Sequence, residues 1–166
     1  ALLAWGGAML LAAGTLLGQE TPVAFVGAQV ITIGGDTFEP GVLVVQRGRI
    51  VSVGPRSSVI PDGAIVRDVT GKVIMPGLVD THSHIGSPAG GDTSAPIQPE
   101  TRVPDAIDVR DASLQRAQAG GITTANIMPG SGHLISGQTL YLKMRDGNVI
   151  NDLLITNQTG RVAGGL

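Results

Sequence analysis

An apolar run that leads into two histidines constrains the fold of this chain more than any other feature. The stretch at residues 73–79 reads VIMPGLV, apolar except for its Pro-Gly break. Residues 78–81 predict a strand of a parallel sheet covered on both faces, because such strands are apolar throughout instead of alternating. His82 and His84 follow directly. Side chains two residues apart on a strand project from one face, so the two imidazoles are expected to point into one space.

Two imidazoles on one strand face suit a divalent metal ion. Neutral imidazole is a ligand of zinc and of its first-row neighbours. Asp80 would share this face, and its carboxylate either orients an imidazole without itself binding the metal or caps the strand end; both interpretations stay open. Two histidines do not complete a site, and an isolated His-x-His pair is more often a surface or core pair than a metal site.

The residues around this pair resemble a known superfamily. The resemblance is carried by DVTGKVIMPGLVDTHSH at residues 68–84 and, more weakly, by AGGITT at residues 119–124. Both are similar to the amidohydrolase superfamily of metal-dependent hydrolases, in particular to its imidazolonepropionase-like and prolidase-like members. The likeness extends over roughly residues 23–166. It implies that His82 and His84 end the first barrel strand and bind a catalytic divalent metal, with zinc expected, as one or two ions.

The same resemblance implies an α/β fold, and together with the apolar composition of the first residues it divides the chain into three parts. Residues 1–20 are expected to be a signal peptide whose start is missing, and residues 21–76 a small N-terminal β-sandwich. Residues 77–166 would be the first βαβ part of a (β/α)8 TIM barrel. A complete barrel takes about 250 residues. The chain is therefore expected to be truncated within the barrel and, without the remaining metal ligands, not to turn over substrate by itself. Truncation is also expected at the start, because Ala1 lies inside an apolar run that has neither an initiator Met nor a basic leader before it.

The first 18 residues predict export. They are small and apolar, and polar residues follow at 19–22, which is typical of a secretory signal peptide. An uncleaved membrane anchor is the alternative, because a span needs about 20 apolar residues. We expect a periplasmic or secreted protein with no membrane attachment after cleavage. The chain has no cysteine, which excludes a disulfide framework.

Composition narrows the classes of partner. The formal net charge is −2 and no basic cluster exceeds Arg47 and Arg49, so nucleic-acid binding is not expected. Hydrophobic residues make up 42% of the chain, so its 25 glycines and 10 prolines imply turns instead of disorder. The expected partner is a small-molecule or short-peptide substrate, and a homo-oligomer stays open.

Short strands cut by turn residues are predicted before Met75, at residues 23–33, 41–46, 49–53, 64–68 and 72–74. This spacing is typical of a small β-sandwich or sheet. Residues 42–53 predict a hairpin in which Gly48 supplies the positive φ of a tight turn.

A strand–helix–strand unit is predicted after Met75. Residues 111–119 predict a helix with Asp111 as N-cap and Gly120 at C′, and residues 122–127 the second parallel strand. The connection at residues 85–103 is longer than about 12–15 residues, which is uncommon without a function. Loops after barrel strands build barrel active sites, so it is expected to overhang the metal. A surface loop without substrate contacts is the alternative.

The chain after the second strand carries weaker candidates. His133 is a candidate for hydrogen bonding to substrate or for proton transfer, although a loop histidine is more often solvated. Asn126 is a candidate for orienting substrate. Residues 139–145 and 149–155 predict a hairpin through an Asp-Gly-Asn turn. Lys143 in its first strand does not end a barrel strand, so we exclude it as a carboxylated bridging ligand.

The expected function of the complete protein is hydrolysis of a C–N bond in a small amide, dipeptide or cyclic amide by metal-activated water. One alternative is an exported, non-catalytic binding module. Another keeps the fold but makes the protein a deaminase, an esterase or an organophosphate hydrolase, because substrate choice resides in loops.

Overall fold

The computed structural model describes residues 21–86, 94–130, 132–156 and 162–164. They divide into two compact units between Pro76 and Gly77. The signal peptide predicted for residues 1–20 lies outside the described residues. In the described ranges no helix has the length and apolar character that a membrane span requires.

The described residues of the first unit form seven short strands in two sheets. The strands are β1 (Val23–Val26), β2 (Gln29–Ile31), β3 (Thr37–Phe38), β4 (Gly41–Gln46), β5 (Arg49–Pro55), β6 (Ile65–Asp68) and β7 (Val73–Ile74). One sheet has the order β5-β4-β1-β6 and the other β3-β2-β7. β1 pairs antiparallel with β4 and parallel with β6, and Ala24, Val42 and Val44 form a core of this unit. This confirms the predicted N-terminal β domain.

The predicted hairpin forms between β4 and β5. Arg47 and Gly48 connect the strands with φ values of 51° and 70°. Positive φ at both central residues is the mark of a type I′ turn, whose twist matches that of the flanking strands. Gly48 was expected to provide this conformation, and Arg47 adopts it as well.

The single strand predicted over residues 23–33 is broken in the structure. Gly27 has a φ of 89°, which ends β1 and lets β2 join the other sheet. A β-carbon at Gly27 would collide with the hydroxyl of Thr70. The sequence predicts one continuous strand because most residues around Gly27 are apolar. In the structure the chain passes from one sheet to the other at this glycine.

The described residues of the second unit combine a mixed sheet with short helices. The elements are β8 (Leu78–Ser83), a 3-10 helix (Val103–Asp105), α1 (Ala112–Ala119), β9 (Ile122–Ile127), β10 (Leu140–Lys143) and α2 (Ile150–Leu153). The strand order is β10-β9-β8, in which β8 is parallel and β10 antiparallel to β9. With α1 between β8 and β9 in the chain, this is the predicted strand–helix–strand start of the barrel, and the α/β fold class is confirmed.

Helix α1 begins and ends where predicted, but Gly120 is its C-cap and Gly121 takes the C′ position predicted for Gly120. The Asp111 carboxylate accepts a hydrogen bond from the Ser113 N–H at 2.7 Å, the contact of an N-cap. Gly120 has a helical φ of −78°, and the positive φ that leads the chain out of the helix is found at Gly121, at 90°.

The hairpin predicted over residues 139–155 is wrong in its second half. β10 forms but pairs with β9, and α2 occupies the place of the second strand. The Asp152 carboxylate accepts hydrogen bonds from the N–H groups of Asn148 and Val149, which stabilises a helical turn. Leu153 is buried in the core, and Leu154 forms an isolated antiparallel bridge with Leu142.

Candidate metal centre

The two histidines lie at the end of an edge strand. β8 has a hydrogen-bonded neighbour, β9, on one side among the described strands. Leu78 and Val79 are 51% and 57% exposed. The expectation that this strand is covered on both faces therefore does not hold in the part of the chain that the structure describes.

The structure brings the rings of His82 and His84 together. Their centroids are 5.4 Å apart and the ring planes are nearly perpendicular, at 86°. His82 is exposed and His84 half-buried, whereas Ser83 between them is buried. Strand alternation thus directs both rings to the face opposite Ser83. Solvent and a small ligand can reach the rings on that face.

His84 is held in one tautomer by a backbone carbonyl. Its Nδ1 lies 2.9 Å from the carbonyl oxygen of Met128. A carbonyl oxygen can only accept, so Nδ1 carries the proton and the lone pair of the neutral ring lies on Nε2. This is how metal-binding histidines are commonly oriented. Sequence reasoning missed Met128, since a backbone acceptor leaves no signal in residue type.

Asp80 contacts the backbone of the histidine strand. Its Oδ1 accepts a hydrogen bond from the His82 N–H at 3.1 Å, which is the contact expected of a strand-end cap. The ladder pairs Asp80 with Ala125, a fully buried residue, so Asp80 does not share the face of the two rings. A direct role of Asp80 toward an imidazole stays a prediction.

Asn126 is likewise tied to β8. Its Nδ2 donates to the carbonyl oxygen of Thr81 at 3.3 Å. Its Oδ1 is buried and has no partner among the described residues. The amide that the sequence suggested for orienting substrate therefore contacts the strand that carries the histidines.

His133 lies half-buried in the loop that follows β9. In residues 21–86, 94–130, 132–156 and 162–164, no three His, Asp or Glu side chains come together in a group that could hold a metal ion. The structure therefore unites His82 with His84 but does not add His133 to that pair as a third ligand. Its catalytic role stays a prediction.

Comparison with known proteins gives the chain a family. No family model matches it. It is 34% identical over 114 residues to an amidohydrolase of Hapsidospora irregularis, covering 62% of this chain and 12% of that protein. It is 31% identical over 134 residues to a dihydroorotase of Anaplasma phagocytophilum, covering 76% of this chain and 27% of that protein. The crystal structure of an amidohydrolase from Thermotoga maritima aligns with a TM-score of 0.71 and 31% identity, covering 80% of this chain and 36% of that one.

The chain belongs to the amidohydrolase superfamily. It spans between an eighth and about a third of the lengths of these proteins. The relatives' names denote hydrolases that act on C–N bonds.

Two loops of this amidohydrolase-superfamily chain hydrogen-bond to each other beyond the ends of β8 and β9. Ile97 bridges with Ile135, and Arg102 with Gln138. Gly137 has a φ of 122°, and a β-carbon there would collide with the carbonyl oxygen of Thr101. The long connection is therefore paired with the His133 loop over these residues, whereas residues 87–93, also expected to overhang the metal, lie outside the described ranges.

The donor set fits part of a divalent-metal site. Both candidate ligands are imidazoles, of which His84 has its tautomer set by a carbonyl and His82 is exposed. A catalytic zinc site commonly takes three protein ligands. The pair therefore fits as two of the ligands of such a site.

Proposed function

We propose that the protein containing this chain is a metal-dependent hydrolase of C–N bonds in a small amide, short peptide or cyclic amide. His82 and His84 hold its divalent metal, for which zinc is the expected ion. The observation that carries the proposal is the pair of adjacent rings, of which His84 has Nε2 free for coordination because Met128 accepts the proton of Nδ1.

Family membership supports the reaction class. The relatives are named amidohydrolase and dihydroorotase, and a structural neighbour with a TM-score of 0.71 is also an amidohydrolase. A small-molecule or short-peptide substrate agrees with this class, and a homo-oligomer remains compatible with it.

The chemistry explains why such a protein needs the histidines. Amides resist hydrolysis because water is a weak nucleophile and negative charge develops on the carbonyl oxygen. A divalent ion, when bound, supplies Lewis acidity that lowers the pKa of water and polarises the carbonyl. The role of this chain is to fix two imidazoles beside each other. The Met128 carbonyl keeps the His84 proton on Nδ1, away from the coordinating nitrogen.

The metal pair is tested by titrating the purified chain with Zn²⁺ in a calorimeter. We expect one ion per chain, with the affinity falling at least tenfold in His82→Ala and in His84→Ala, because each substitution removes one of two nitrogen ligands. His133→Ala is the matched control, since the chain contains three histidines, and it should retain the affinity. Equal affinity in all four proteins would contradict the assignment.

We also propose that the protein is exported to the periplasm or secreted. The small, apolar composition of residues 1–18 supports this proposal. With an initiator methionine and a basic leader supplied before Ala1, the chain fused upstream of a reporter should direct that reporter out of the cytoplasm, and replacing Leu10 and Leu11 by Arg should prevent it. Reporter that stays inside with the unchanged sequence would contradict export.

A further inference from the structure

The ladder between β8 and β9 contains an extra residue where the histidine pair begins. Asp80 pairs with Ala125, and the next pair is Ser83 with Ile127. β8 thus advances three residues while β9 advances two, which defines a bulge at Thr81 and His82. Bulges are rare in parallel pairs, and they often re-aim side chains next to functional sites.

The bulge decides which face of the sheet the histidines occupy. Paired residues of a parallel ladder point to the same side, and Ala125 and Ile127 point into the core beside α1, at 0% exposure. A regular ladder continued from Asp80 would place His82 beside Ile127, on that buried face. A slip of one residue moves every following side chain to the other face. With the extra residue, Ser83 takes the buried place and both rings turn to the open face.

Two side chains bind the backbone groups that the bulge removes from the ladder. The Asn126 Nδ2 donates to the Thr81 carbonyl oxygen at 3.3 Å, and the Asp80 Oδ1 accepts from the His82 N–H at 3.1 Å. Ladder bonding resumes with the Met128 N–H donating to the Ser83 carbonyl oxygen at 3.0 Å. The bulge is therefore fixed at both of its residues by side chains.

The orientation of the Asn126 side-chain amide leaves its oxygen atom in an unfavourable environment. Its Oδ1 is buried and lacks a partner among the described residues, which is unfavourable for a carbonyl group. The opposite orientation would bring that oxygen against the Thr81 carbonyl, where two acceptors repel. Asn126 thus has one atom without a partner among the described residues, and its amide donates a hydrogen bond to the bulge.

We propose that Asp80 and Asn126 are positioning residues, which hold the bulge that turns His82 and His84 together onto the open face of the sheet. Neither residue needs to touch a metal or substrate for this role. The inference rests on the proposed function only in taking the two rings as a metal pair, since the bulge itself is independent of any ion.

The experiment has a readout without metal and one with Cu²⁺, the first-row ion that nitrogen ligands bind most strongly. Without metal, the nuclear Overhauser effect between the ring protons of His82 and His84 reports their proximity. We expect this signal in the unchanged chain and in Asp80→Asn, which keeps the acceptor for the His82 N–H. It should be lost in Asp80→Ala and in Asn126→Asp, which keeps the size of the side chain but removes the donor.

With metal, the Kd for Cu²⁺ should rise about 10–100-fold in Asp80→Ala and Asn126→Asp, the usual range for residues that orient ligands. The Kd of Asp80→Asn should stay within about twofold of that of the unchanged chain, because this variant keeps the acceptor for the His82 N–H. Asn151→Ala is the matched control for an exposed asparagine of the same unit, and it should alter neither readout. If the alanine variant does not fold, as seen in its amide spectrum, the Asp80→Asn and Asn126→Asp pair still tests the proposal.

The outcomes separate the two proposals. Ring proximity and copper affinity that persist in Asn126→Asp and Asp80→Ala would overturn the positioning role. Failure of the unchanged chain to bind Cu²⁺, with ring proximity lost in the variants as expected, would refute the metal pair and support the positioning role.

Discussion

The two faces of the three-stranded sheet are stabilised in different ways. On the face toward α1, packing determines the structure, because Ala125, Ile127, Leu140 and Leu142 are at most 1% exposed. On the opposite face His82 is exposed, and the strand beneath it is held by two side-chain hydrogen bonds. The buried face contributes stability, and the open face depends on a few directional contacts for its geometry.

This difference separates mutations that unfold the unit from mutations that misplace the histidines. Burial energy grows with the apolar area removed from water, so it concentrates in β9 and β10. Hydrogen bonds contribute less net stability but fix positions. Substitutions on the two faces should therefore affect different measurements.

The largest effect is expected on the buried face. Ile127→Ala should lower the free energy of unfolding by about 2–5 kcal/mol, because it leaves a cavity at a position with 0% exposure. Lys143→Ala, on an exposed position of β10, should change it by about 0.5 kcal/mol or less. Urea unfolding followed through the ring resonances of Tyr141, the single tyrosine, measures the second unit. Similar losses in both variants would contradict the contrast between the faces.

Local signals predicted much of this architecture. Asp111 marked the start of α1 because its side chain satisfies a free N–H of the first turn. Gly48 marked the β4–β5 hairpin because a tight turn needs positive φ there. Both features depend on residues that are close in sequence, so a short stretch of sequence is enough to predict each of them.

Features that depend on distant contacts were not predicted. α2 replaced a predicted strand because Leu153 packs in the core of the second unit. The alternation rule correctly placed His82 beside His84, since the bulge lies before the second ring. It placed Asp80 on their face because it assumed a regular strand, whereas the ladder slips between Asp80 and Ser83. No local residue pattern predicts such a shift of register between two strands.

A smaller effect is expected at the start of α1, the helix that covers the buried face. Asp111→Ala removes the acceptor for the Ser113 N–H and should cost about 1 kcal/mol of unfolding free energy. Asp111→Asn keeps an acceptor and should recover most of it. The same urea experiment measures both. Loss of the His82–His84 ring contact in Asp111→Ala, in a chain that remains folded, would show that the two faces are coupled and not separable.

The smallest effect is a pH dependence at α2, which places Leu153 on the buried face. The N–H groups of Asn148 and Val149 donate to the Asp152 carboxylate and lower its pKa below the ordinary value. On acidification the unfolded chain therefore takes up this proton first. The stabilisation is complete above the ordinary pKa of the carboxyl, and it is lost as the pH falls through the lower pKa of the folded protein.

Asp152→Asn should therefore reduce the stability of the second unit near neutral pH, and the difference from the unchanged chain should shrink on acidification below about pH 4. Urea unfolding at a series of pH values measures that difference. Asp68→Asn is the matched control, because hydrogen bonds from Thr70 lower the pKa of Asp68 in the first unit. Its pH-dependent effect should be seen in resonances of the first unit and leave those of Tyr141 unchanged. A difference for Asp152→Asn that grows on acidification would reverse the sign and show that Asp152 opposes folding, which would remove it from the contacts that hold the buried face.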